Sequence, residues 1–225
     1  MSSTSYLPLF PLPNVVHFPG TDLKLHVFEP RYRKLVRDLL EAAPESRLVG
    51  MVLMKPGASR QGVPEVFPGG TAGLLVDVEL LPDGRSNILL HGDFRFEIER
   101  EIDANPYRRA VVRQLAEPQL AEDDAGILTV RRGLLELIGA LAAEIGDGFP
   151  LRKEHFGEAA ETLPFELLVN RIAAEIDLPA MTKIQLLNDA LPERAVSLLD
   201  ILRHRRQVLD VLRPFRHLAT DSELN

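Results

Sequence analysis

The chain changes its hydrophobic period once, near residues 118–124, and that change limits the folds open to it. Before it, apolar residues alternate with polar ones or run in short blocks, the two-residue repeat of β-strands; after it they recur every three or four positions, the repeat of amphipathic helices. The changeover falls on Pro118-Gln-Leu-Ala-Glu-Asp-Asp124, a polar, acidic stretch. An α+β chain is expected, with a β-barrel subdomain over 1–118 and an α-helical bundle subdomain over 119–225.

In the first half, 23–27 and 74–81 alternate, 48–54 is a nearly continuous apolar run, and 94–102 sets Phe94, Phe96 and Ile98 against Arg95, Glu97 and Glu99. Asp83-Gly84 is expected to join 74–81 to 87–91 as a two-residue hairpin turn, and Gly92 to mark a bulge or bend before 94–102. A further strand is expected over 107–115. Six or so mostly antiparallel strands need closure or stacking to manage their edges, and a small barrel provides it. One helix is expected here, with Pro30 at its first position and its end near Ala43. The glycine- and proline-rich segment 57–73 reads as one long surface loop. In the second half Ile127, Val130, Leu134, Leu137, Ile138, Leu141 and Ile145 form a stripe that Gly146-Asp-Gly-Phe-Pro150 ends. Further stripes cover 164–176, 180–190 and 192–213, and their short connections imply an antiparallel bundle.

Several chemistries are excluded by what the chain contains. Zero cysteines remove disulfides, thiolate catalysis and cysteine-ligated metals. No lysine follows a glycine: Lys24, Lys34, Lys55, Lys153 and Lys183 follow Leu, Arg, Met, Arg and Thr, so no Walker-A phosphate loop exists. Six histidines form no His-x-x-x-His pair, and His26 three residues before Glu29 is the nearest approach to a metal motif, short of the three or four ligands zinc requires. Ser59 and Ser86 lie outside any Gly-x-Ser-x-Gly elbow, and Asp123, Asp124, Glu99 and Glu101 read as solvated charges. No catalytic residue, metal or cofactor is expected. A net charge of −7 opposes indiscriminate attraction to nucleic acid or anionic lipid. No apolar run approaches the ~20 residues of a membrane span, and the N-terminus lacks a signal-peptide pattern, so a soluble cytoplasmic protein is expected.

One stretch carries a family resemblance: Leu7-Pro-Leu-Phe-Pro-Leu-Pro-Asn-Val-Val-His-Phe-Pro-Gly20, continuing through Leu23-Lys-Leu-His-Val-Phe-Glu-Pro-Arg-Tyr-Arg33. With Gly-Met-Val-Leu at 50–53, Pro82-Asp-Gly-Arg85, Leu90-His-Gly-Asp-Phe-Arg-Phe96 and Pro106-Tyr107, it resembles the N-terminal substrate-binding domain of the ATP-dependent Lon proteases. The 163–176 segment is similar to the helical half of that family. The resemblance implies a small PUA-like antiparallel β-barrel with one internal helix, followed by a helical bundle. It implies recognition of unfolded or damaged polypeptide, and an ATP-dependent protease or chaperone as a further partner. A Lon protease would continue into ATPase and protease modules, for which 225 residues leave no room.

The residues expected to meet a peptide are Arg31, Lys34 and Arg37 on the first helix, Leu25 on the strand before it, and Met54. An open barrel edge accepts an extended peptide through main-chain hydrogen bonds, and a thioether repacks around varied partners. Arg31 and Lys34 share one helix face, Arg33 and Arg37 another; this basic patch reads either as solvated surface or as a contact for acidic clients. Met51 reads as core. A second basic run, Arg203-His-Arg-Arg206, opens the alternative of RNA binding on a PUA-like barrel, for which the absence of Trp leaves few stacking platforms.

Overall fold

A computed structural model describes residues 4–60, 63–102, 105–151 and 159–213. Its contacts divide the chain into two compact units, one of residues 1–118 and 170–190, the other of 119–169 and 191–225. One division falls after 118, where the period changes. The segment 170–190 belongs with the sheet.

The first unit contains strands β1 (Thr4–Leu12), β2 (Asp22–Val27), β3 (Leu48–Arg60), β4 (Val63–Leu80), β5 (Ser86–Ile102) and β6 (Arg109–Gln114), with helix α1 (Pro30–Glu41) after β2. Their order is β2-β5-β4-β3-β1-β6, and β6 returns to β5, so five strands close into a barrel that β2 joins from the side. The pairs are antiparallel except β1 with β3, which is parallel. Closure depends on the length of β5. One of its edges pairs with β2 through residues 86–91 and then with β6 through 96–102, while β4 lies along the other. The change of partner follows a bulge: Gly73 stands opposite Gly92 and Ala72 opposite Phe94, which leaves Asp93 as the extra residue. Gly92 is required there, because a Cβ would stand 2.3 Å from the Phe18 carbonyl oxygen.

One strand lies outside the sequence expectations, and two expectations change. First, β1 is a strand although it contains Pro8 and Pro11. It pairs with β6 over residues 4–8 and with β3 over 9–12. The Leu9 amide points to β6 and donates to Arg108 O at 2.8 Å. Main-chain amides alternate sides, so Pro11 faces β6 beyond the end of that pairing, and Pro8 faces β3 before that pairing begins. Neither missing N–H interrupts a ladder. Second, 57–73 is no loop: β3 and β4 run through much of it as a hairpin, with Val52 opposite Gly70 and Met54 opposite Val66. Gly69, Gly70 and Gly73 serve close packing: a Cβ on Gly70 would lie 2.4 Å from Met51 O and 2.8 Å from the Phe96 ring. Third, the turn at 82–84 has three residues. Leu81 N donates to Arg85 O and Gly84 N to Leu81 O, both at 2.9 Å, and Gly84 takes φ 81°, the turn-plus-bulge form of hairpin.

Two apolar clusters hold the described residues of the unit. Leu7, Leu9, Val52, Val66, Ala72, Phe96, Ala110 and Val112 form one. The other lies under α1, where Tyr32, Leu35, Val36 and Leu39 meet Val27, Leu75, Ile88 and Leu90; Tyr32 stacks on Phe10 with ring centroids 4.0 Å apart. Helix α4 (Ala180–Asn188) docks on β4, Asn188 lying over Gly69, where a Cβ would be 2.1 Å from its Oδ1.

The second unit is built on α2 (Ala125–Ile145) and α5 (Leu191–Leu212), with Leu199 against Gly133. Asp124 caps α2, its Oδ1 accepting from Gly126 N at 2.8 Å and Ile127 N at 3.1 Å, so it is a structural carboxylate rather than a solvated charge. Glu122 accepts from Phe165 N at 2.8 Å and pairs with Arg131 at 2.7 Å. Helix α3 (Phe165–Glu175) runs across the division, its residues from Asn170 onward belonging to the first unit.

Candidate functional site

The strand order leaves β2 as the end strand, paired with β5 alone among the described residues. Its far edge presents unpaired main-chain donors and acceptors, the template that an extended peptide uses. The strand alternates strictly: Asp22, Lys24 and His26 are exposed, Leu23 and Leu25 are half-covered, and Val27 is buried. Phe28 follows at 61% exposure.

The outer face carries a polar ladder across three strands. The pairings put Lys24, Leu89 and Asp77 in one row, and His26, Asn87 and Glu79 in the next. Asn87 organises the second row: its Oδ1 accepts from His26 Nδ1 at 2.8 Å and its Nδ2 donates to Glu79 at 2.6 Å. Asp22 is held by His91 Nδ1 at 2.7 Å. Lys24, His26, Asp77, Glu79, Asn87 and Leu89 line a shallow groove of about 450 Å³. A different cleft, of about 410 Å³, lies within the second unit between Leu120, Ile127, Val130, Phe165 and Val196.

The residues expected to meet a peptide do not form one surface. Arg31, Lys34 and Arg37 are exposed on α1, but two of the three charges are answered within the helix's own neighbourhood. Arg31 pairs with Glu29 at 2.8 Å and lies over the Tyr32 ring, and Lys34 pairs with Asp38. Arg37 has no ion-pair partner among the described residues. Arg33, on the other face, donates to Asp83 O at 3.0 Å. Leu25 packs on the cluster under α1, whereas Met54 packs on the cluster around Phe96. Met51 is core. Lys24 and His26, the neighbours of Leu25 on the outer face, were not among the residues expected to meet a peptide, His26 being weighed only as a metal ligand; the strict alternation of 22–27 was the available signal.

The other candidates resolve into structure. His26 and Glu29 engage Asn87 and Arg31 rather than each other. No group of three or more His, Asp or Glu able to hold a metal occurs among the described residues. In the second unit Arg203 pairs with Asp200 at 3.1 Å, and Arg206 lies 3.5 Å from Asp210 and 3.6 Å from Glu144. Each of these two arginines thus has a carboxylate within 4 Å, which lowers the positive field that the run presents to a polyanion. No described helix is long and apolar enough to cross a membrane.

Comparison with known proteins agrees with the fold. Residues 6–204 match the model of the ATP-dependent protease La (LON) substrate-binding domain. The Lon protease of Roseiflexus castenholzii is 31% identical over 221 residues, covering 96% of this chain and 26% of that protein. The Lon protease of Cytophaga hutchinsonii is 26% identical over 214 residues, 93% of this chain and 25% of the relative. The chain therefore spans about a quarter of the length of these relatives. Among solved structures, the N-terminal domain of Mycobacterium avium complex Lon protease superposes with TM-score 0.64 at 15% identity, covering 88% of this chain and 98% of that one. The Lon N-terminal domain protein of Xanthomonas campestris gives 0.56 at 24%, with 87% and 98% covered. By the family model's span over most of its length, the chain belongs to the Lon substrate-binding domain family.

Proposed function

We propose that this protein is a non-catalytic module that holds unfolded or damaged polypeptide in the cytoplasm, an adaptor for an ATP-dependent protease or chaperone. The observation that carries the reading is the one-sided pairing of β2. An extended client completes the main-chain hydrogen bonds of that edge, and the half-covered Leu23 and Leu25 beside it supply apolar contact without strict sequence demand. Membership in a substrate-binding family supports the same reading. Binding is expected in the micromolar range or weaker, on the order of −8 kcal/mol at best, because a loosely specific edge recovers only part of the cost of ordering the client.

The test is titration of dye-labelled, permanently unfolded casein, with hydrogen exchange read before and after. Slowed exchange within 22–27, and ATP hydrolysis and casein cleavage at background, are the expected results. Saturating binding with unchanged exchange in β2 would move the site elsewhere. Turnover abolished by a single substitution would overturn the non-catalytic reading.

A further inference from the structure

We infer that the β2 edge selects extended segments in which acidic and apolar residues alternate. This rests on the peptide-binding reading above and adds the chemistry of the client. In a strand added to β2, residues directly opposite one another share a face, and successive side chains point to opposite faces. Client residues beside Lys24 and His26 therefore stand on the outer face, and those between them stand beside Leu23 and Leu25.

The outer face next to the edge carries one cation, Lys24. Asp22 is already engaged by His91. Lys24 has no ion-pair partner among the described residues, and Asp77, the carboxylate in its cross-strand row, stands two strands away across Leu89, roughly 10 Å at ordinary strand spacing. His26 directs Nδ1 to Asn87, and its Nε2 faces the Arg85 guanidinium at 3.5 Å, whose charge Asp83 answers at 2.6 Å, so Lys24 is the cation that the edge offers. A carboxylate arriving opposite Lys24 thus meets an ammonium that no carboxylate pairs among the described residues, Asp22 on the same strand being turned to His91. On the inner face, Leu23 and Leu25 pack on the α1 cluster yet keep part of their surface in solvent, which an apolar client residue would cover. Acidic outside and apolar inside, repeating every two residues, is the complement of this strand.

The experiment uses the full chain and three dye-labelled peptides that differ only in a central Val-Glu-Val-Glu-Val, Val-Gln-Val-Gln-Val or Val-Lys-Val-Lys-Val. Anisotropy should rank them glutamate, glutamine, lysine, each charge changing Kd by about two- to fivefold, as exposed cross-strand pairs do. Lys24→Gln should shrink the glutamate preference and Lys24→Glu should reverse the order, with unfolding midpoints unchanged because Lys24 is exposed. An order unchanged by Lys24→Glu would overturn the proposal, as would peptide protection outside 22–27 or a second copy of the chain covering this edge in sedimentation. Binding of unfolded casein at β2 with no preference among the peptides would sink the charge rule and leave the module reading standing. Failure to bind any of the four would sink both.

Discussion

His17 sits in the connection between β1 and β2 at 4% exposure, with Nε2 donating to Thr21 O at 2.9 Å and Nδ1 without a hydrogen-bond partner among the described residues. Its own carbonyl accepts from Thr71 Oγ1 at 2.6 Å, so the residue fastens this connection to β4. Burial pushes the imidazole below its ordinary pKa; the Thr21 bond and Asp22 oppose that shift, and His91 adds to it. A folded pKa below the unfolded value of 6.5 means the unfolded chain takes up the proton first. Stability is therefore full above about pH 6.5 and falls as pH drops toward the folded pKa. Melting temperatures recorded from pH 7.5 down to 5 should decline below 6.5, and His17→Gln, which keeps a donor for Thr21, should flatten that decline. Arg95 is a second decisive side chain. It is 4% exposed, donates to Leu187 O at 2.7 Å and Asp189 O at 2.9 Å, and pairs with Glu117 at 2.5 Å. A buried cation at the end of α4 answers carbonyls that the helix itself cannot. Arg95→Ala removes the buried cation that pairs with Glu117 and donates to those carbonyls, and urea unfolding should show a loss of about 3–5 kcal/mol.

Among the elements, glycine makes the sharpest contrast between a sequence and its fold. Gly70 lies in β4 against backbone, where a methyl group has no flexible neighbour to displace. Gly139 lies in α2 with nothing within 4 Å of the position a Cβ would take. Gly70→Ala should destabilise by about 1–3 kcal/mol through overpacking, and Gly139→Ala should stabilise by about 0.5–1 kcal/mol through helix propensity; paired denaturant melts give both signs. The same contrast explains which elements could be read in advance. Helices α1, α2, α3, α4 and α5 announce themselves by apolar stripes bounded by Pro30, Gly146 and Pro179, because a helix closes its hydrogen bonds locally. Strand β1 and the β3–β4 hairpin do not, since their glycines and prolines are tolerated only by partners far away in sequence: β6 and β3 around Pro8 and Pro11, Phe96 and Asn188 around Gly70 and Gly69. The candidate site was legible in part for the same reason. Alternation in 22–27 shows a strand with one wet face, but that β2 is left with a free edge follows only from β5 having two successive partners.

At the scale of the molecule, the open question in the sequence is where the barrel unit ends, and period alone places that end at 118. The fold places part of it later, because 170–190 is grouped with the sheet. Ile172, Ile176, Ile184, Leu186 and Leu187 in that segment are all buried, and Arg95 and Gly69 are shaped to receive α4. Each such aliphatic side chain contributes about 1.5–3 kcal/mol when covered, so five together rival the ~5–15 kcal/mol by which a domain is stable at all. A fragment of residues 1–118 should therefore fail to melt cooperatively by circular dichroism, although it contains every strand of the sheet. Adding a synthetic 165–190 peptide should restore a cooperative transition, since it returns α4, the Arg95 acceptors and the apolar cover in one piece. A fragment 1–118 that melts cooperatively on its own, at the temperature of the full chain, would show that the barrel closes without the helical segment and that the boundary belongs where the period changes.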